Sequence, residues 1–201
     1  MFFLIVAGTL LGPVVGAVLV LAWAHRAHIP LAALGLQASR NWTATVFGGA
    51  AFGIALKLLL KAVAMPLLGA PATNAAYHYL AGNTAALPGI IATVLISAGI
   101  AEEIVYRGYL FERMRTWLGP GDGRVTAAIL VSSVLFAAAH YVDQGFPGVE
   151  QALMTGVVFA GLYAWRKELW IVMVAHAAFD LTAVVLIYKG WEAPVAHFWL
   201  R

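Results

Sequence analysis

The 201-residue chain has no cysteine. That absence removes disulfides, thiolate metal sites and cysteine nucleophiles together. Charge is scarce as well. Asp, Glu, Lys and Arg supply 10% of residues, where a soluble domain carries about a quarter. With so few charges and so much apolar side chain, a disordered chain and most soluble enzymes are excluded. A phosphate-tracking basic stripe is excluded too, so the net charge of +3 and the pI near 9.3 do not indicate nucleic acid. No segment alternates apolar and polar residues with period two, which argues against a β-barrel. Neither an internal repeat nor a soluble domain is visible.

What is present in excess is apolar side chain: 63% hydrophobic residues and a mean hydropathy of +0.88. A membrane-spanning helix needs roughly 20 mostly apolar residues. The pattern predicts six, at residues 2–24, 43–69, 88–110, 125–142, 150–165 and 169–188. The expected fold is therefore all-α, a polytopic transmembrane helix bundle of about six helices. Residues 1–201 read as one integral membrane domain in contact with lipid. The first segment admits a second reading, because Ala22-Trp23-Ala24 resembles a signal-peptide cleavage site. The length of the run, and the lack of Lys or Arg before it, favour a spanning helix.

Loop charges predict the topology. Successive connections carry Arg26 and Arg40, then no Lys or Arg over 70–87, then Arg113, Arg115 and Arg124, then none over 143–149, then Arg166 and Lys167. The positive-inside rule reads this alternation as an outside N-terminus, six crossings and an outside C-terminus. Lys189 and Arg201 in the tail run against it. Trp23, Trp42, Trp117, Tyr141, Trp165, Trp170, Tyr188 and Trp191 fall near the expected ends, as an interfacial belt requires. A short, alanine-rich chain with no targeting extension points to a prokaryotic cytoplasmic (inner) membrane.

Polar residues inside apolar helices need a reason, because a charge at mid-membrane costs a few kcal/mol or more and marks a bundle interior or a wet cavity. The third helix carries Glu102-Glu103-Ile104-Val105-Tyr106-Arg107. Glu103 and Arg107, four apart, can pair on one face. Glu102 points about 100° away on an α-helix. The expectation is an internal brace, Glu103–Arg107, with Glu102 left for chemistry. The fourth helix ends on Phe136-Ala137-Ala138-Ala139-His140, where small residues allow close approach. On its own, His140 reads as an interfacial histidine. The sixth carries His176 and Asp180 on one face. An Asp in that position holds an imidazole tautomer or forms a structural hydrogen bond. Taken together, the clusters place a carboxylate, two imidazoles and an Asp on three apolar helices. Two schemes use that set for hydrolysis: a Glu–His pair activating water, or a zinc ion held by Glu102, His140 and His176. Lys57 and Lys61, four apart in the second helix, either snorkel, line the cavity or mark a shorter span.

In this order the three clusters resemble the CPBP family (CAAX proteases and bacteriocin-processing enzymes, also called Abi). Its pattern is EExxxR, then FxxxH, then His followed four residues later by Asn or Asp. The flanking Arg107-Gly108-Tyr109-Leu110 and Ala128-Ile129-Leu130-Val131-Ser132-Ser133 agree. The match covers about residues 88–182, the expected catalytic core. The resemblance implies an intramembrane endopeptidase acting on a membrane-anchored or membrane-embedded peptide. By that analogy Glu102 and His140 activate water, His176 and Asp180 stabilise the oxyanion, and Glu103 and Arg107 support them. Family members are described both as metalloproteases and as metal-free glutamic enzymes, so the cofactor is none or Zn²⁺. Many members carry Asn at the position of Asp180. Asn donates to an oxyanion and an ionised Asp does not, so here Asp180 is protonated, orients His176 or ligates a metal.

Two other classes compete. One is a non-catalytic immunity or scaffold protein that keeps the cluster for folding. The other is a small transporter, which predicts broken helices such as Pro66 and Gly69 would make. Helix depth poses a separate difficulty. From Arg124 to His140 is about 24 Å and from Leu169 to His176 about 10 Å, leaving a mismatch of about 14 Å between residues expected in one site. It closes if Arg124 lies below the membrane boundary, if the sixth helix starts lower or if the helices tilt. The third helix is expected to run on toward Arg115.

Overall fold

The computed structural model describes residues 11–121 and 123–199, and they form seven helices with no strand among them. These are α1 Pro13–Arg26, α2 Ala44–Leu67, α3 Thr84–Trp117, α4 Arg124–Ala139, α5 Tyr141–Arg166, α6 Leu169–Tyr188 and α7 Glu192–Ala196. The all-α membrane bundle is present, and its six principal helices follow the six expected segments. Three of them, α2, α3 and α6, are long and apolar enough to cross a membrane by themselves. The remainder differ for local reasons. The part of the first segment before Leu11 lies outside the described residues, including most of the run on which the signal-peptide alternative turns. α4 is a shorter apolar helix. α5 starts nine residues before expectation because the chain resumes helical winding directly after His140. It breaks at Gly145, whose φ of 62° and ψ of −159° suit glycine alone.

Helix ends follow capping chemistry. Pro13 occupies the first turn of α1, and Pro88 opens the α-helical winding of α3 after its 3-10 turn Thr84–Ala86, both places where proline is tolerated. The Asn83 side chain accepts from the Ala86 N–H ahead of α3. Gly69, with φ of 74°, closes α2 just after Pro66. Pro66 and Gly69 therefore terminate α2 and do not break a helix in mid-membrane. α3 does run past Arg115, to Trp117. It is wound in wide π-type turns over Val94–Glu102 and Ile104–Phe111, the stretch holding the acidic pair. Such turns gather at functional sites.

α3 is the hub. α1, α4 and α6 pack against it, α2 lies along α6, and α4 lies along α5. In lipid, packing cannot rely on expelling water, so small residues that let backbones touch carry the contact. Gly49 and Gly53 face α6, and a Cβ on Gly53 would lie 2.0 Å from the Ala175 carbonyl oxygen, next to His176. Gly156 of α5 also sits close on Ser133 of α4, where a Cβ would lie 3.0 Å from the Ser133 Cβ. Gly53→Val is expected to destabilise the bundle by about 1–3 kcal/mol, as overpacking does. The fall in unfolding midpoint in detergent measures it, and an unchanged midpoint would mean that α2 and α6 are not in backbone contact. Outward-facing residues, among them Phe47, Leu59, Ile96, Val134 and Trp165, are large, apolar and exposed, as a lipid-facing shell requires.

One end of the bundle is stapled. Glu112 pairs with Arg115 at 2.7 Å, accepts from the Tyr163 hydroxyl at 3.0 Å and lies 3.6 Å from Lys167 in the α5–α6 link. Burial pushes the Lys167 ammonium below its ordinary pKa, and Glu112 opposes that shift. The loop before α2 docks on the start of α6. There Thr45 donates to Glu168 at 2.9 Å and the Trp170 indole donates to the Gln37 carbonyl at 3.0 Å. These contacts fix where α6 begins, and so how deep His176 lies.

Candidate active site

Glu103 is fully buried on α3, and its Oε1 serves two partners. Arg107 donates to it from Nη1 at 2.8 Å and His176 from Nδ1 at 2.7 Å. The expected i, i+4 brace is therefore present. Its charge is also shared with α6, which no spacing argument included. A carboxylate only accepts, so this bond fixes the hydrogen of His176 on Nδ1 and turns Nε2 the other way. The Arg107 guanidinium lies over the Phe136 ring at 4.5 Å and reaches the Gly156 carbonyl at 3.4 Å. One residue thus ties α3 to α4 and α5.

Glu102 and Glu103 were expected to point apart. They do differ in role, yet both reach His176. Glu102 Oε2 lies 4.0 Å from its Nε2, while Glu103 holds its Nδ1. The wide turns of α3 bring neighbouring side chains closer in angle than an α-helix does. Glu102 Oε2 is buried and has no hydrogen-bond partner among the described residues. Asp180 Oδ2 lies 3.5 Å from the same Nε2. The nitrogen Asp180 faces is the one Glu103 leaves open, so the tautomer of His176 is set by Glu103 and not by Asp180.

His140 closes α4. Its Nδ1 lies 2.8 Å from the Phe136 carbonyl oxygen, which can only accept. Nδ1 therefore carries the hydrogen and Nε2 keeps its lone pair. The Phe136 ring separates the two imidazoles, with centroids 4.6 Å from His140 and 5.9 Å from His176. Both rings therefore pack on one aromatic side chain, which is too close for the mismatch of about 14 Å expected from helix rise. Counting from the first residue of each helix had assumed that Arg124 and Leu169 are level.

Glu102, Phe136, His140, His176 and Asp180 line one cavity of about 160 Å³. The sequence-predicted residues converge there, with Glu103 and Arg107 directly behind. Lys57 also lines it, and Lys61 lines an adjoining cavity of about 140 Å³. Neither lysine snorkels: both ammonium groups are turned inward. Among the described residues, no three His, Asp or Glu side chains are placed so that they could hold a metal ion. As arranged, the donors Glu102, His140 and His176 do not fit zinc, and no step below passes through a metal. Reasoning from spacing did not single out Gln151 or Thr155, which also line the cavity from α5. They are ordinary polar residues in a helix whose register only the fold reveals.

Helices built for lipid around an inward carboxylate–imidazole cluster define an integral membrane protein with an interior suited to proton transfer. Residues 83–182 match the family model described as Type II CAAX prenyl endopeptidase Rce1-like. The chain belongs to this CAAX-protease, or CPBP, family of membrane peptidases. No curated protein and no solved structure matches the chain.

Proposed function

We propose that the protein is an intramembrane endopeptidase of the glutamic type, with Glu102, His140, His176 and Asp180 as its working residues. The observation that supports this most is the Glu102 carboxylate. Its Oε2 is buried and makes no hydrogen bond among the described residues, and it faces a cavity that two oriented imidazoles share. Few reasons other than chemistry keep an unspent carboxylate inside a membrane bundle.

In this reading Glu102 accepts a proton from water as the water oxygen attacks the scissile carbonyl. His140, with its Nε2 lone pair turned from the helix, orients that water. The tetrahedral oxyanion is met by His176, which donates when it carries a proton on Nε2, and Asp180 holds that proton in place. Glu102 then returns its proton to the departing amine as the C–N bond breaks, so the carboxylate is regenerated. Glu103 and Arg107 act behind these groups as positioning residues. Asp180 accepts rather than donates in this scheme, which accounts for Asp where many relatives carry Asn.

The substrate we propose is a membrane-anchored or membrane-embedded peptide. The family name refers to prenylated CAAX tails. In a prokaryotic cytoplasmic membrane, a bacteriocin leader, a surface-protein sorting tail or a membrane-bound regulator fits this role better. The charge alternation of the loops supports an outside N-terminus and six crossings.

The test is cleavage of a mixture of lipid-anchored peptides by the purified chain in lipid nanodiscs, read by mass spectrometry, before and after chelation. New peptide ends that continue to form in chelator are expected. Activity lost on chelation and restored by zinc would overturn the metal-free mechanism. A folded chain that leaves every anchored peptide intact would overturn the peptidase reading and favour the scaffold class.

A further inference from the structure

Lys57 lines the site cavity, and the proposed chemistry does not use it. It is 7% exposed, on the face of α2 that meets α6. Its ammonium donates to Gln151 Oε1 at 2.9 Å and lies 4.8 Å from the centre of the Phe179 ring. No carboxylate among the described residues pairs with it. Lys61 differs: Glu192 lies 3.4 Å from its ammonium and the Ala72 carbonyl accepts from it at 2.7 Å.

A buried ammonium inside a membrane bundle with only a neutral amide and a ring for company has hydrogen-bonding capacity left over. Among the described residues Lys57 is the only Lys or Arg lining the cavity that holds Glu102, and it also lines the adjoining cavity. Three amides, Asn74, Gln144 and Gln151, line both cavities around it. Gln151 accepts from Lys57 through Oε1, so its Nε2 hydrogens remain to donate. Glu102 and Asp180 line the site cavity as well, and they repel an anion. Lys57 and these three amides are therefore the donors with which the chamber can meet a negative group, while Glu102 and Asp180 work on the peptide bond.

We infer that Lys57 is a specificity residue that receives a carboxylate of the peptide substrate, either its free C-terminus or an acidic side chain. Resting on the peptidase reading, this deepens it: the scissile bond lies close to a carboxylate because Lys57 and Glu102 line one cavity. Lysine binds such a group as a point charge, and the flanking amides add direction.

Binding tests this without cleavage. Three dansylated apolar pentapeptides are titrated into the detergent-purified full chain carrying Glu102→Gln. One ends in a free acid, one in an amide, and one in an amide with an internal Asp. At least one acidic peptide is expected to bind about 10-fold or more tightly than the plain amide, the worth of a charge-assisted hydrogen bond. The one that does so tells which carboxylate is read. Lys57→Arg should keep the preference and Lys57→Gln should reduce it to within about twofold, since the loss is confined to that bond. Equal binding of all three peptides to the chain with Lys57 intact overturns the inference, and needs no Lys57 variant to fold. A preference that survives in folded Lys57→Gln overturns it too, as does failure of every peptide to bind. Cleavage with Glu102 intact decides the peptidase reading separately.

Discussion

Glu102→Gln is expected to lower the rate of peptide cleavage by at least about 10²-fold, within the range that a positioned base contributes. The protein should still fold. Gln keeps the shape of Glu and removes only the ability to take a proton. Glu102 Oε2 makes no hydrogen bond among the described residues, so the substitution breaks none there. The side chain is 14% exposed and lies against His176 Nε2 at 4.0 Å, so that contact can persist. The measurement is the rate on an anchored peptide, with the unfolding midpoint in detergent as control. An unchanged midpoint with lost activity assigns Glu102 to chemistry. Full activity in the variant would remove the base from the mechanism and leave the site without a means of activating water.

The neighbouring residue should behave differently. Glu103→Ala is expected to destabilise the protein by about 3–5 kcal/mol, because breaking a buried pair strands the partner's charge. Arg107 is 1% exposed, and its other contacts, the Phe136 ring and the Gly156 carbonyl, do not neutralise it. His176 loses the acceptor that fixes its tautomer in the same step. Pairing Glu103→Leu with Arg107→Met removes both charges and should recover much of the stability, as replacing whole buried pairs does elsewhere. Activity should stay low, since Nδ1 of His176 remains unheld. Thermal unfolding and cleavage rate in the two variants separate the structural share of Glu103 from its positioning share. Recovery of both together would mean that Glu103 serves folding alone. Adjacent acids one residue apart would then have opposite signatures: activity without stability for Glu102, stability ahead of activity for Glu103.

The sequence by itself determined the all-α membrane class, because runs of apolar residues long enough to span lipid admit few other folds. It determined the Glu103–Arg107 pair, because four-residue spacing on a helix puts two side chains together whatever surrounds them. It also picked out Glu102, His140, His176 and Asp180, since ionisable groups in apolar helices are conspicuous against their neighbours. What it could not supply were relations between helices. That Glu103 binds His176 depends on how α3 faces α6. That His140 and His176 both meet the Phe136 ring depends on where α4 and α6 start, to which the docking of the loop before α2 and the Glu112–Lys167 contacts contribute. The inward turn of Lys57 was equally hidden, since the same residue in the same helix would snorkel if α2 were rotated by half a turn. Periodicity fixes a residue's angle about its own axis, and only packing fixes the angle between axes. Here Gly49 and Gly53 set that packing by letting α2 close on α6 beside the site.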